Sequence, residues 1–107
     1  MPDQLQQRID FIKTIDALKE VQRKTYLRSE SRWENSAEHS WAVATLALTL
    51  ADYTKPGTDI NRVIHMLLLH DIVEVDAGDA LLHDDAARAA KAIEEKAAAD
   101  RIFGLLP

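Results

Sequence analysis

The chain has 107 residues, of which 47% are hydrophobic, a formal net charge of −5 and no cysteine. This length predicts a single domain spanning residues 1–107. The negative charge argues against binding to a nucleic acid polymer, which requires a basic surface, and the lack of cysteine excludes disulfides and thiolate chemistry. Because the sequence shows neither a signal peptide nor an apolar stretch of membrane-spanning length, we expect a cytoplasmic protein with no membrane partner.

The first half of the sequence predicts two helices. Apolar residues recur every three or four positions from Leu5 to Val21, which predicts an amphipathic helix over residues 3–22. Segment 23–33 is charged and aperiodic, and it is expected to form a long loop or a broken turn. Asn35 and Glu38 have the spacing of a capping box, which opens a second helix ending near residue 53. That helix is apolar on nearly all sides, so we expect it to be central and buried.

The second half predicts two more helices and no strand. Asp59 can cap a third helix, whose apolar positions lead into His70 and Asp71. Gly78 marks a turn. An alanine-rich fourth helix begins at residue 84 or 85 and ends at Phe103. Only three glycines and three prolines occur in the chain, which also favours helices. The predicted fold is therefore all-α.

The ends of the second and third helices carry groups that could bind a metal ion. His39 lies at the start of the second helix, and His70 and Asp71 lie at the end of the third. Antiparallel helices place one start beside one end, so these side chains could converge. Two imidazoles and a carboxylate suit Zn, Mn, Fe, Co or Ni. A single histidine is more often a hydrogen-bonded core or surface residue, which is our interpretation of His65 and His83.

Further acids and arginines surround this pattern. Glu74 follows His70 by four residues, so a continuing turn would place both on one face. Asp79 follows Gly78 on a turn directed toward the same end of the helices. The alternative for these acids is a solvated loop. The predicted loop before His39 carries arginines whose guanidinium groups could bind a phosphate ester if the loop folds over the helix ends. The alternative is that they are ordinary solvent-exposed loop charges. They belong to Arg23, Arg28 and Arg32.

These motifs resemble a known family. The pattern His39 … His70-Asp71 resembles the HD-domain metal-dependent phosphohydrolases. The longer strings "RWENSAEHSW" and "LLHDIVEVDAGD" are similar to the branch that contains bacterial 5′-deoxynucleotidases. The resemblance covers about residues 8–107. It implies an HD-domain-like helical bundle and a divalent cofactor (Zn, Mn, Co, Fe, Ni or Mg). It also implies release of phosphate from nucleoside 5′-monophosphates or a similar small ester.

The resemblance implies a role for individual residues. His39, His70 and Asp71 match three of the family's four metal ligands. Glu74 matches a catalytic acid near the metal-bound water, and Asp79 matches a second acid that lines the substrate site. The arginine that contacts substrate phosphate is best matched by Arg23. An aromatic residue often follows that arginine in the bacterial deoxynucleotidases. Here the residue is Lys24, so strict selectivity for deoxyribose is not implied.

The fourth metal ligand of the family is an aspartate on a helix beyond the last residue of this sequence. We therefore expect the chain to represent the N-terminal part of a longer fold, with weaker metal retention. Missing helices would expose an apolar surface and favour a homo-oligomer, such as a dimer. A non-catalytic fragment that acts as an oligomerising or binding module is one alternative. A helical bundle with incidental histidines is another. The expected surface comprises Leu46, Leu50, Phe103 and Leu105.

Overall fold

The computed structural model of the protein describes residues 3–78 and 84–107. These residues form five α-helices, two short 3-10 helices and two short strands, a mainly helical structure that is consistent with the predicted all-α fold class. The elements are α1 (Gln4–Ile15), β1 (Gln22–Tyr26), β2 (Trp33–Asn35), α2 (Ser36–Thr49), α3 (Ile60–Leu69), α4 (Glu74–Ala77) and α5 (Asp85–Phe103). None of the helices in the described ranges combines the length and apolar character needed to cross a membrane.

Side-chain caps fix where the helices begin. The Asn35 side chain accepts a hydrogen bond of 2.9 Å from the Glu38 amide, and Glu38 Oε1 accepts one of 2.9 Å from the Asn35 amide. This confirms the predicted capping box and sets the start of α2 one turn before His39. Asp59 caps α3 through the Arg62 amide at 3.2 Å, as predicted.

The segment between α1 and α2 forms a β-hairpin, so the predictions of a loop over residues 23–33 and of no strand were wrong. Strands β1 and β2 pair antiparallel, with Gln22 opposite Asn35 and Tyr26 opposite Trp33. The Tyr26 and Trp33 rings meet edge to face at 6.2 Å, and the Lys24 ammonium lies 5.3 Å from the Trp33 ring centroid. These cross-strand contacts stabilise a polar hairpin whose alternation is too weak to identify from sequence.

The core lies where the end of α1, the link from α3 to α4 and the C-terminal half of α5 meet. The predicted first helix is α-helical only to Ile15 and continues as a 3-10 helix over Asp16–Glu20. This tighter turn contains Leu18, which is buried with Ile72, Ala98 and Ile102. Partly buried residues surround this cluster: Phe11, Ile15, Ala37, Val73, Val75 and Phe103.

Helix α2 is not buried on most sides, which contradicts its expected central position. Trp41 and Leu48 are 67% and 64% exposed, whereas the buried residues are small and four positions apart: Ser36, Ser40 and Ala44. A narrow stripe of small residues buries little apolar area, so most of the large side chains stay outside. Of the predicted apolar surface, Leu46 and Leu50 are exposed, whereas Phe103 and Leu105 are partly buried.

Helix α4 is a short element that the sequence did not predict. It ends at Gly78, whose φ of 72° confirms the predicted turn at a backbone conformation that favours glycine. Lys91 of α5 donates to the carbonyls of Ala77 and Gly78, the second at 2.6 Å. Arg101 of α5 donates two hydrogen bonds of 2.6 and 2.7 Å to Asp76. These contacts hold α4 against α5.

Candidate metal centre

The three predicted metal ligands lie together at the helix ends. His39 is in the first turn of α2, His70 caps the C-terminus of α3, and Asp71 follows it. Their ligand atoms all lie within 4.8 Å of one another. His70 Nε2 is 3.1 Å from Asp71 Oδ2, and His39 Nε2 is 3.8 Å from the same oxygen. The sequence thus correctly predicted their convergence, while their role as ligands stays a prediction.

A backbone contact orients His70 toward this cluster. Its Nδ1 lies 2.6 Å from the Leu67 carbonyl oxygen, which can only accept a hydrogen bond. Nδ1 therefore donates a proton, and in the neutral ring this leaves the lone pair on Nε2, the nitrogen that faces Asp71. Metal-binding histidines commonly use their second nitrogen in this way, because the contact fixes both the tautomer and the ring orientation.

Asp71 supports the assignment of a cation site. Its side chain is 13% exposed, and Oδ2 is buried without a hydrogen-bond donor among the residues that the structure describes. A buried carboxylate oxygen normally has a partner, since leaving it without one is costly. Bond lengths of about 2.0–2.2 Å place donor atoms on one ion roughly 3–4 Å apart, which the distances to Oδ2 match. The residues present therefore fit a divalent metal.

Arg23 lies at the edge of the cluster, on β1 rather than on the predicted loop. Its Nη1 is 3.7 Å from Asp71 Oδ2, and its Nε is 3.4 Å from Glu34 Oε1. The other two arginines of the segment lie elsewhere. Arg28 is exposed, and Arg32 donates to both carboxylate oxygens of Glu38, one of them at 2.7 Å. The Arg32 hydrogen bonds lower the pKa of Glu38 to about 2.

Glu74 is buried at the first position of α4. Its carboxylate accepts a hydrogen bond of 2.5 Å from the hydroxyl of Ser36, which is fully buried at the start of α2. Its amide donates to the Asp71 carbonyl at 2.9 Å. These bonds fix Glu74 against the two segments that carry the predicted ligands. Its catalytic role stays a prediction, and Asp79 lies outside the described residues.

Glu34 was missed by the sequence analysis. Its Oε1 lies 3.4 Å from His39 Nδ1 and 3.4 Å from Arg23 Nε. The acid lies within the "RWENSAEHSW" string, five residues before His39. Because side chains alternate along a strand, Glu34 points away from the face that carries Trp33. A correct prediction of β2 would have been needed to place it beside the histidine.

Comparisons with known proteins identify the family of this chain. A family model described as "HD domain" matches residues 15–107. Two proteins named 5′-deoxynucleotidase HDDC2, from Xenopus laevis and Danio rerio, are 32% and 30% identical to this chain over 100 and 99 residues. Each match covers 92% of this chain and 48% of the relative. The chain therefore spans about half the length of these curated relatives.

A solved structure gives the same result for the fold. It is the crystal structure of a predicted metal-dependent phosphohydrolase from Magnetospirillum magnetotacticum MS-1, and it is 50% identical to this chain with a TM-score of 0.88. The alignment covers 97% of this chain and 52% of that structure. Together with the family match over residues 15–107, which contains His39, His70 and Asp71, this likeness shows that the chain belongs to the HD-domain family.

Proposed function

We propose that this chain forms part of a metal-dependent phosphohydrolase that releases phosphate from nucleoside 5′-monophosphates or a similar small phosphate ester. The observation that carries the proposal is the cluster of His39, His70 and Asp71 with the Arg23 guanidinium against it. Two neutral nitrogen donors, a carboxylate and a fixed positive charge form a suitable site for a cation and a phosphate together. The name of the curated relatives supports a nucleotide as substrate.

The cation would be held by His39 Nε2, His70 Nε2 and Asp71 Oδ2. When bound, a divalent metal such as Zn, Mn, Co, Fe, Ni or Mg would polarise the phosphoryl group and lower the pKa of a coordinated water. His70 is already oriented for this role by its bond to the Leu67 carbonyl. The Asp71 Oδ2 atom, which accepts no hydrogen bond among the described residues, would gain a coordinated cation.

Arg23 would bind the phosphate of the substrate. Its planar guanidinium has five N–H donors, so its contacts with Glu34 and Asp71 leave others for a phosphate oxygen. Glu74 would orient the attacking water or accept its proton, since it is a carboxylate held close to the ligand-bearing helix ends. Asp79 is proposed to line the substrate site from its position in the motif alone.

A metal and activity screen tests this proposal. The purified chain would be loaded separately with Mn²⁺, Co²⁺ and Zn²⁺, and phosphate release would be measured across ribo- and deoxyribonucleoside 5′-monophosphates. We expect metal-dependent release that His39→Ala abolishes and that His65→Ala, an exposed position on α3, leaves intact. If the wild-type chain bound none of the three metals, the proposal would be refuted.

A second candidate function is a non-catalytic module that binds metal and forms a homodimer. The exposed large apolar residues of α2 favour it, because burying such side chains against a second copy would remove apolar surface from water. They include Trp41, Leu46 and Leu48. Metal binding without phosphate release, together with a dimer in sedimentation, would select this function. A monomer that hydrolyses nucleotides would exclude it.

A further inference from the structure

We infer that Glu34 is a positioning residue that holds the His39 ring and the Arg23 guanidinium around Asp71. This inference rests on the function proposed above, and it assigns Glu34 a role between the cation site and the phosphate site. The basis is that one carboxylate oxygen, Glu34 Oε1, lies 3.4 Å from His39 Nδ1 and 3.4 Å from Arg23 Nε.

The contact with His39 determines which ring nitrogen faces the cation site. A carboxylate beside Nδ1 favours the proton on that nitrogen and leaves the lone pair on Nε2, which is 3.8 Å from Asp71 Oδ2. In His70 the acceptor beside Nδ1 is the Leu67 carbonyl, at a hydrogen-bond distance of 2.6 Å, and in His39 it is the Glu34 carboxylate, at 3.4 Å. Both rings are thus oriented through Nδ1 so that Nε2 is available as a ligand atom, which is how outer contacts tune metal sites.

The contact between Glu34 and Arg23 limits competition between the guanidinium and a bound cation for Asp71 Oδ2. Arg23 Nη1 is 3.7 Å from Asp71 Oδ2, the same oxygen that both histidines face. Without a second carboxylate, the guanidinium would be attracted to Asp71 alone and would compete with a cation for that oxygen. Glu34 provides an opposing negative charge at Nε. The arginine is then held at the edge of the site, where it can contact a phosphate, and Oδ2 stays available to coordinate the metal.

The hairpin explains how Glu34 reaches both partners. It lies on β2 between Trp33, which packs against Tyr26, and Asn35, which caps α2. The aromatic pair fixes one face of the strand, and the cap fixes its junction with the helix. Alternation along the strand then directs Glu34 to the opposite face from Trp33. Because Arg23 is on the partner strand, one hairpin carries both residues.

The first test measures the metal-free protein. Nitrogen-15 chemical shifts of the His39 ring distinguish the two neutral tautomers in wild type, Glu34→Ala and the matched hairpin control Glu30→Ala. We expect the proton on Nδ1 in wild type and in the control, and a shift of population toward Nε2–H in Glu34→Ala. An unchanged tautomer in Glu34→Ala would overturn the inference, even if the variant were less stable. Should that variant fail to fold, Glu34→Gln replaces it, with loss of the charge and the same expected direction.

The second test measures affinity for Co²⁺ and then for inorganic phosphate by calorimetry. Removing an outer partner of a ligating histidine typically weakens metal affinity about 10–100-fold, so we expect this loss in Glu34→Ala but not in Glu30→Ala. Phosphate should also bind the Co²⁺-loaded variant more weakly. Equal Co²⁺ affinities would overturn the inference and leave the proposed function standing. If wild type binds no Co²⁺, the proposed function fails, and the tautomer measurement alone decides the role of Glu34.

Discussion

The two halves of α2 show opposite relations between polarity and burial. The first half carries polar residues that are buried or half-buried, including Ser36 and Ser40, whereas the second half exposes Leu46 and Leu48. The polar half contacts other parts of the fold: Ser36 donates to Glu74 of α4, and His39 lies against Asp71. Burial in this helix therefore follows the position of the candidate site, and hydropathy alone does not predict it.

The largest expected effect comes from removing a predicted metal ligand in the first half of α2. His39→Ala should abolish Co²⁺ binding and metal-dependent phosphate release, because a single histidine and one carboxylate remain to hold the ion. The matched control is His65→Ala on the exposed face of α3, which should retain both. Calorimetry and a phosphate-release assay provide the measurements. Retention of full Co²⁺ affinity by His39→Ala would mean that this end of α2 is not a metal site.

Two substitutions to alanine compare the stability contributions of a buried and an exposed apolar side chain. Ile102 of α5 is 0% exposed, and Ile102→Ala should lower the free energy of unfolding by about 2–5 kcal/mol. Leu48→Ala removes a side chain that is 64% exposed, and it should change stability by roughly 0.5 kcal/mol or less. Urea unfolding followed by circular dichroism compares the two. A large cost for Leu48→Ala would indicate that the exposed half of α2 is buried in solution, for example in a dimer.

A smaller effect is expected from removing the Ser36 hydroxyl in the first half of α2. Ser36→Ala removes the donor of the 2.5 Å hydrogen bond to the buried Glu74 carboxylate. Hydrogen bonds to charged groups contribute about 1.5–3 kcal/mol, so we expect a loss of stability of that order. Ser29→Ala in the exposed hairpin turn removes a hydroxyl contact with Ser31 and should cost much less. Equal unfolding free energies for Ser36→Ala and wild type would show that Glu74 gains little from this bond.

The sequence predicted the features that depend on local patterns. The capping box at Asn35, the cap at Asp59 and the turn at Gly78 follow from side chains that bond to their own neighbourhood. The meeting of His39 with His70 and Asp71 also followed, because helix ends can be located from caps and apolar runs. The predicted ligands thus lie close together, even though the hairpin was not predicted and α2 was wrongly expected to be buried.

Other features could not be predicted because they depend on distant partners. The hairpin is stabilised by the contact between the Tyr26 and Trp33 rings. Neither residue alone indicates a strand, because the contact forms only when the two strands are paired. Glu34 depends on the hairpin in turn, since its two contacts are formed by β1 and α2. The exposure of Leu48 could not be predicted either, because an apolar helix sequence does not reveal whether its side chains pack in a core or lie on the surface.

The smallest expected effect concerns α4, whose two acids differ in burial. Glu74 is buried against Ser36, whereas Asp76 pairs with Arg101 near the surface, and the Arg101 hydrogen bonds lower the pKa of Asp76. A lowered pKa in the folded state stabilises the protein above the unfolded value of about 3.9, and this contribution is lost as the pH falls through the folded pKa. Arg101→Ala should therefore be slightly less stable than wild type at neutral pH, and the difference should begin to shrink below about pH 4 and close as the pH falls through the lowered pKa of Asp76.

Urea unfolding at several pH values would measure the difference between wild type and Arg101→Ala. Arg88→Ala is the control, since Arg88 pairs within α5 with an Asp85 side chain that is fully exposed. Exposed pairs contribute little, so this variant should follow wild type at every pH. The contact of Arg101 differs because two hydrogen bonds join separate helices, α4 and α5, across 25 residues of sequence. A difference for Arg101→Ala that stayed constant down to pH 3 would show that the Arg101 side chain stabilises the fold by packing, with no contribution from the Asp76 charge.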